Sequence, residues 1–109
     1  MAREQFQNLT EPMYYILMSL LSERCGVDIM EAVNDISKGR VRVGPGTLYT
    51  LLGKFEKEEM IKETEVQGRK RSYIITEKGK EILLEEYNRL ITMVSDGEFF
   101  MGRNYGGRE

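Results

Sequence analysis

The chain has 109 residues, 40% hydrophobic and 31% charged, and its 16 Lys and Arg against 18 Asp and Glu leave a formal charge of −2. That suits one domain with one modest core and excludes both a disordered polyelectrolyte and a membrane protein. With no His and a single Cys, Cys25, there is no Ser–His–Asp or Cys–His nucleophile pair, no internal disulfide and no Cys/His zinc site.

No catalytic residue, metal ligand or cofactor is therefore expected, and the chain reads as a non-enzyme. Its longest apolar stretch, residues 13–21, is about half of a bilayer span. No basic segment precedes it and no small-residue cleavage site follows, so a cytoplasmic location is expected, with no membrane partner.

Residues 1–9 are mostly polar, with Phe6, and read as a flexible N-terminal arm. Thr10 is a good helix N-cap, and Glu11 and Pro12 suit the first turn, where Pro loses no bond and Glu faces the positive end of the helix dipole. The helix expected to run from there to about Glu23 carries Met13, Tyr14, Tyr15, Ile16, Leu17, Met18, Leu20 and Leu21. Being apolar nearly all round, it is expected to meet a second subunit.

Val27, Ile29, Met30, Val33 and Ile36 space a second helix, from about Val27 to Ser37. Arg40, Val41, Arg42 and Val43 alternate as a short extended link, and Pro45 opens a third helix. On that helix Leu48, Leu51, Leu52 and Phe55 share one face. The other face holds Gly46, Thr50, Gly53 and Lys57, with Tyr49 and Lys54 at its flanks, and is small and uncluttered near its N-terminus. A face meant only for water would carry long charged side chains rather than Gly and Thr.

Residues 61–66 and 71–76 read as a β-hairpin with Gly68 in its turn and Arg69, Lys70 and Arg71 at its tip. Thr76 caps a last helix whose Leu83, Tyr87, Leu90 and Val94 step by four, three and four residues, a seam for another helix. Asp96 and Gly97 end it, and the Gly-rich residues 97–109 read as a flexible tail.

The expected fold is mainly α with a small β-hairpin: a winged helix-turn-helix over residues 10–76, followed by a dimerisation helix over 77–96. The net charge hides a segregation. Residues 38–80 hold 11 Lys and Arg against 6 Asp and Glu, while the remainder holds 5 against 12. The third helix, its lead-in and the hairpin thus form a positive footprint of the kind that double-stranded DNA requires.

Gly44-Pro45-Gly46-Thr47-Leu48-Tyr49, with Leu52, Phe55, Glu56, Met60 and Ile61, is one motif. The run from Gly68 through Arg69-Lys70-Arg71-Ser72-Tyr73 to Gly79 is a second. Together they make the chain resemble the PadR family of bacterial transcriptional regulators from about Leu9 to Val94. Where the family often has His-Gly-Tyr at the start of the second helix, this chain has Cys25-Gly26-Val27. The resemblance implies a DNA-binding repressor, some relatives of which sense phenolic acids or drugs, and it implies that Tyr49 contacts a backbone phosphate.

The expected DNA-binding residues are Arg40, Arg42, Thr47, Tyr49, Thr50, Lys54, Arg69, Lys70 and Arg71. Thr50 and Lys54 are placed to approach base edges, and the hairpin tip to lie on phosphates. A homodimer is expected through Tyr14, Leu17, Met18, Leu83, Tyr87, Leu90, Ile91 and Val94. Tyr14, Tyr15, Met18, Phe99 and Phe100 are candidates for a small aromatic ligand site, with dimer core as their competing role. Cys25 reads as a small buried hydrophobe. The alternatives are a small-molecule-binding protein or a protein-interaction module built on the same winged helix.

Overall fold

A computed structural model describes residues 8–106, with side chains described through residue 102; the expected arm over residues 1–7 and the last three residues of the expected tail lie outside the described residues. The elements in chain order are α1 (Glu11–Ser19), β1 (Arg24–Cys25), α2 (Gly26–Ile36), α3 (Pro45–Lys57), β2 (Ile61–Gln67), β3 (Lys70–Ile75) and α4 (Glu77–Gly97). A π-helical segment, Glu98–Gly106, continues from α4. The strands form one antiparallel sheet in the order β1-β3-β2. This is the mainly helical winged helix-turn-helix with a small sheet that the periodicities predict.

Thr10 caps α1 by accepting from the Met13 amide at 3.3 Å. The helix stops at Ser19, a turn earlier than expected. Leu20 is fully buried and its carbonyl accepts from the Ile75 amide at 2.9 Å, so the chain leaves the helix to join the sheet. The apolar run continues past this point because the core continues, although the helix does not. Leu17 is 0% exposed, packed inside its own subunit, which corrects its expected place in a dimer contact. Leu9 is likewise buried against the core, not part of a free arm.

Between α2 and α3, Lys38 and Gly39 take left-handed backbone angles (φ 56 and 81) and turn the chain back. The buried Ser37 hydroxyl accepts from the Val41 amide at 2.9 Å, and Val41 and Val43 then enter the core beside Ile29, Val33, Leu48, Leu52 and Phe55. Burial of both valines fixes the lead-in, and through it the start of α3. From β3, Tyr73 and Ile75, two residues apart and so on one face of the strand, close the core.

At the far end of α3, Glu59 (φ 62) is the left-handed residue that lets the Met60 amide reach back to the Phe55 carbonyl at 2.9 Å. Thr76 bridges this corner to α4. Its hydroxyl donates to the Glu59 carbonyl at 2.7 Å and accepts from the Gly79 amide at 3.1 Å. Gly79 packs directly on the Met60 backbone: a Cβ there would lie 3.0 Å from the Met60 carbonyl carbon and 2.7 Å from the Ile75 side chain.

The expected tail is the largest departure. Residues 98–106 remain helical, with the Phe99 and Phe100 rings 4.9 Å apart edge to face. Glycine content argued against order here, but a helix already 21 residues long supplies the costly nucleus, and propagation past it is cheap.

Candidate nucleic-acid interface

The outward face of α3 is made of small or flexible groups. Gly44 sits at its N-cap without a side-chain hydrogen bond, Pro45 opens the first turn, and Thr47, Thr50, Gly53 and Lys54 are all exposed. The inward face is apolar and tightly held, with Leu48, Leu52 and Phe55 buried. One helix thus combines a fixed base with a low, approachable outer surface.

Tyr49 lies on the flank of that surface. It is 50% exposed, and its phenol reaches across to the start of α2. There a groove of about 450 Å³ opens, lined by residues 25–28 of α2 and its N-cap, by Tyr49, and by Arg69, Lys70 and Arg71 of the hairpin. Two of the expected groups, the α3 tyrosine and the hairpin tip, therefore share one concavity although about twenty residues separate them in sequence.

The cations of this groove, and those of α3 and its lead-in outside it, are largely available. Among the described residues none of Arg42, Lys54, Arg69 and Lys70 enters an ion pair, while Arg71 lies 3.6 Å from Glu63. Tyr73 is the other neighbour of Arg71. Burial pushes the Tyr73 phenol above its usual 10.0, helped by Glu56 and Glu63 and opposed by Arg71.

The sequence did not single out the N-terminus of α2 as part of the site. No side chain caps it, so its first amides are donors without an intrahelical partner and carry the positive end of the helix dipole. Asp28, in the same turn, accepts from the Cys25 thiol at 3.3 Å. The buried Cys25 is the small hydrophobe that the sequence predicts, with this one weak bond added.

Arg40 departs from expectation. Its guanidinium bonds Glu11 at 2.5 Å and the Tyr15 hydroxyl at 3.0 Å and sits 5.9 Å from the centre of the Tyr15 ring. The Glu11 carboxylate is the main cause of a guanidinium pKa above its usual value, with Tyr15 adding to it. Arg40 thus ties the α3 lead-in to α1 and is engaged within the subunit, whereas Arg42 is exposed with no ion-pair partner among the described residues.

The expected aromatic cluster is divided. Tyr14 and Tyr15 meet edge to face at 5.8 Å and line a cavity of about 280 Å³ with Leu9, Thr10, Glu11, Glu86, Arg89 and Leu90. Met18, Phe99 and Phe100 do not line it. Glu86 is only 1% exposed and is ion-paired with Arg89 across one turn of α4. Burial is the main cause of a raised Tyr14 pKa, reinforced by Tyr15, Tyr87 and Glu86. Of the expected dimer contacts on α4, Tyr87, Ile91 and Val94 are exposed, as are Leu84 and Met93, whereas Leu83 packs against the subunit's own core.

The model of the transcriptional regulator PadR-like family matches residues 16–85, from the end of α1 through α2, α3 and the hairpin to the first part of α4, with the whole groove. The chain belongs to the PadR-like family. Its members are transcriptional regulators and not enzymes.

Solved structures share the fold. A transcriptional regulator from Clostridium thermocellum superposes with a TM-score of 0.70 at 20% identity, over 84% of this chain and 94% of that one. RosR from Halobacterium salinarum gives 0.62 at 21%, over 83% and 94%. A PadR-like transcription factor from Bacteroides fragilis gives 0.59 at 22%, over 79% and 86%. In sequence, 61 residues are 34% identical to an uncharacterized 37.1 kDa protein of transposon TN4556 from Streptomyces fradiae; the match spans 56% of this chain and 17% of that protein. No described helix of this PadR-like chain is long and apolar enough to cross a membrane.

Proposed function

We propose that this PadR-like regulator binds double-stranded DNA in a sequence-specific manner as a homodimer and represses transcription by occupying an inverted-repeat operator. Each α3 enters a major groove, with Thr47, Thr50 and Lys54 toward the bases. The hairpin tip and Tyr49 take the adjoining phosphates, and Arg42 lies on the flanking backbone. The outer face of α4, with Tyr87, Ile91 and Val94, joins the two subunits, and two-fold symmetry sets the half-sites about one helical turn or a small multiple apart. Repression requires no chemistry, because a bound dimer excludes polymerase.

The observation that carries this reading is the shared groove: Tyr49, the cationic hairpin tip and the uncapped start of α2 face one space of about 450 Å³. With three or four phosphate contacts per subunit, the log–log dependence of affinity on salt has an expected slope of about −5 to −7. Fluorescence anisotropy across a salt series measures it, and a slope near −1 overturns the footprint. Selection of bound fragments from genomic DNA tests symmetry and specificity together.

The cavity beside Tyr14 and Tyr15 favours a second element, release by a small aromatic effector. Its walls join two phenols, an apolar rim and a buried carboxylate paired with a partly exposed guanidinium. Titration calorimetry with simple phenolic acids and aromatic amines tests it; the absence of heat with every compound overturns it.

A further inference from the structure

Gly26 is the first residue of α2 and is buried, and its backbone is not in a left-handed conformation. Nothing in its φ angle therefore requires glycine, and glycine in a helix is less favourable than alanine. The requirement is space. A Cβ on Gly26 would meet the Tyr49 hydroxyl and lie 2.9 Å from the ring carbon that bears it. A half-exposed side chain of the outer helix face, and not a core residue, occupies the room that the missing side chain leaves.

The geometry points to Gly26 as a positioning residue for DNA: its bare backbone is the seat that holds the Tyr49 phenol beside the first amides of α2 and the Arg69–Lys70–Arg71 tip. This rests on the DNA-binding reading above and adds to it the reason the phenol is aimed. A tyrosine on an open helix face samples several rotamers, and binding must then freeze one. A phenol already laid on the α2 backbone has lost that freedom on folding, so its hydroxyl meets a phosphate without a further ordering cost.

The same geometry separates aim from stability. The Cβ would strike the far end of a flexible side chain with solvent on its other side, so Tyr49 can swing outward while the core stays closed.

The probe is a fluorescein-labelled mixed-sequence duplex at low salt, since a phosphate contact needs no operator. Tyr49→Phe is expected to weaken binding about ten-fold, the scale of one charge-assisted hydrogen bond. Gly26→Ala is expected to weaken it about as much with nearly the same melting temperature, and to add nothing in the Tyr49→Phe background. Unchanged binding by Gly26→Ala, beside a weakened Tyr49→Phe, overturns the inference and leaves the DNA reading standing. Full additivity of the two overturns it also, because Gly26 then acts elsewhere. A fall in melting temperature of more than about 10 °C with Gly26→Ala makes the phenol a packing element and overturns it too. Wild-type binding by Tyr49→Phe removes Tyr49 itself from the proposed interface.

Discussion

The outer faces of α3 and α4 are both open to water, and they are built from opposite materials. On α3 the exposed positions are Gly, Thr and Lys around one seated tyrosine. On α4 they include, among polar ones, the large apolar Leu84, Tyr87, Ile91, Met93 and Val94, the last 68% exposed, leading to Phe99 at 80%. The first surface is small, polar and cationic, so a polyanion can approach closely and little is lost by leaving it wet. The second loses roughly 25 cal/mol for every Å² of apolar surface left in water. Exposure alone thus says little; the chemistry of the exposed atoms distinguishes a surface that fits a charged, hydrated partner from one that fits another apolar helix.

Several substitutions test this contrast. The largest expected effect is on the cationic side: the triple change Arg69→Glu, Lys70→Glu and Arg71→Glu should lower DNA affinity by about a thousand-fold or more in anisotropy, since each reversal replaces a phosphate contact with repulsion. Retained affinity would break the assignment of the two faces. Next, Ile91→Asp with Val94→Asp should move sedimentation from dimer to monomer, weakening self-association about a hundred-fold. A wild-type chain that sediments as a monomer at micromolar concentration would remove the proposed α4 partner.

The two buried glycines sharpen the same contrast inside the molecule. Gly79→Ala forces a Cβ into the Met60 backbone, which cannot swing aside, and should destabilise by about 2 kcal/mol, lowering the melting temperature by roughly 8–15 °C. Gly26→Ala meets only a mobile phenol. Equal melting curves for the two would show that the α2–α3 junction is as rigid as the α3–α4 corner.

Smaller is the expected effect of Arg40→Ala: a modest loss of melting temperature with an unchanged salt slope, because its partners Glu11 and Tyr15 are inside the subunit. A slope shallower by about one unit would return Arg40 to the DNA. Smallest is the alkaline limb of stability. Tyr14 and Tyr73 have raised folded-state pKa values, so the unfolded chain ionises first. Their contribution is fully present below about pH 10 and is lost as pH rises through the folded-state value. Tyr73→Phe should flatten that limb in pH-dependent denaturation.

Much of the fold was legible because its signals are local. The step of Leu48, Leu51, Leu52 and Phe55, the Thr10 and Thr76 caps, and the Gly68 turn each declare themselves within a few residues. Strand β1 did not, since two residues carry no periodicity and Arg24 and Cys25 pair with Tyr73 and Ser72 far along the chain. The end of α1 was misread because Leu20 and Leu21 look equally apolar, although Leu20 is fully buried and Leu21 is 52% exposed. The sequence had no signal for the burial of Glu86 beside Arg89. For Arg40, alternation with Val41 correctly placed the charge outside the core. Which neighbour would meet it there was beyond any local pattern.

The sequence by itself determined where helices and hairpin begin, which faces are apolar and where positive charge gathers, because these follow from spacing along one chain. Only the tertiary structure decided that the α2 amides, the Tyr49 hydroxyl and the hairpin tip open on one groove, and that Arg40, while exposed, pairs with Glu11 of α1. Those are meetings between segments distant in sequence, and burial of Leu48, Phe55 and Tyr73 in a common core is what brings them within reach of one another.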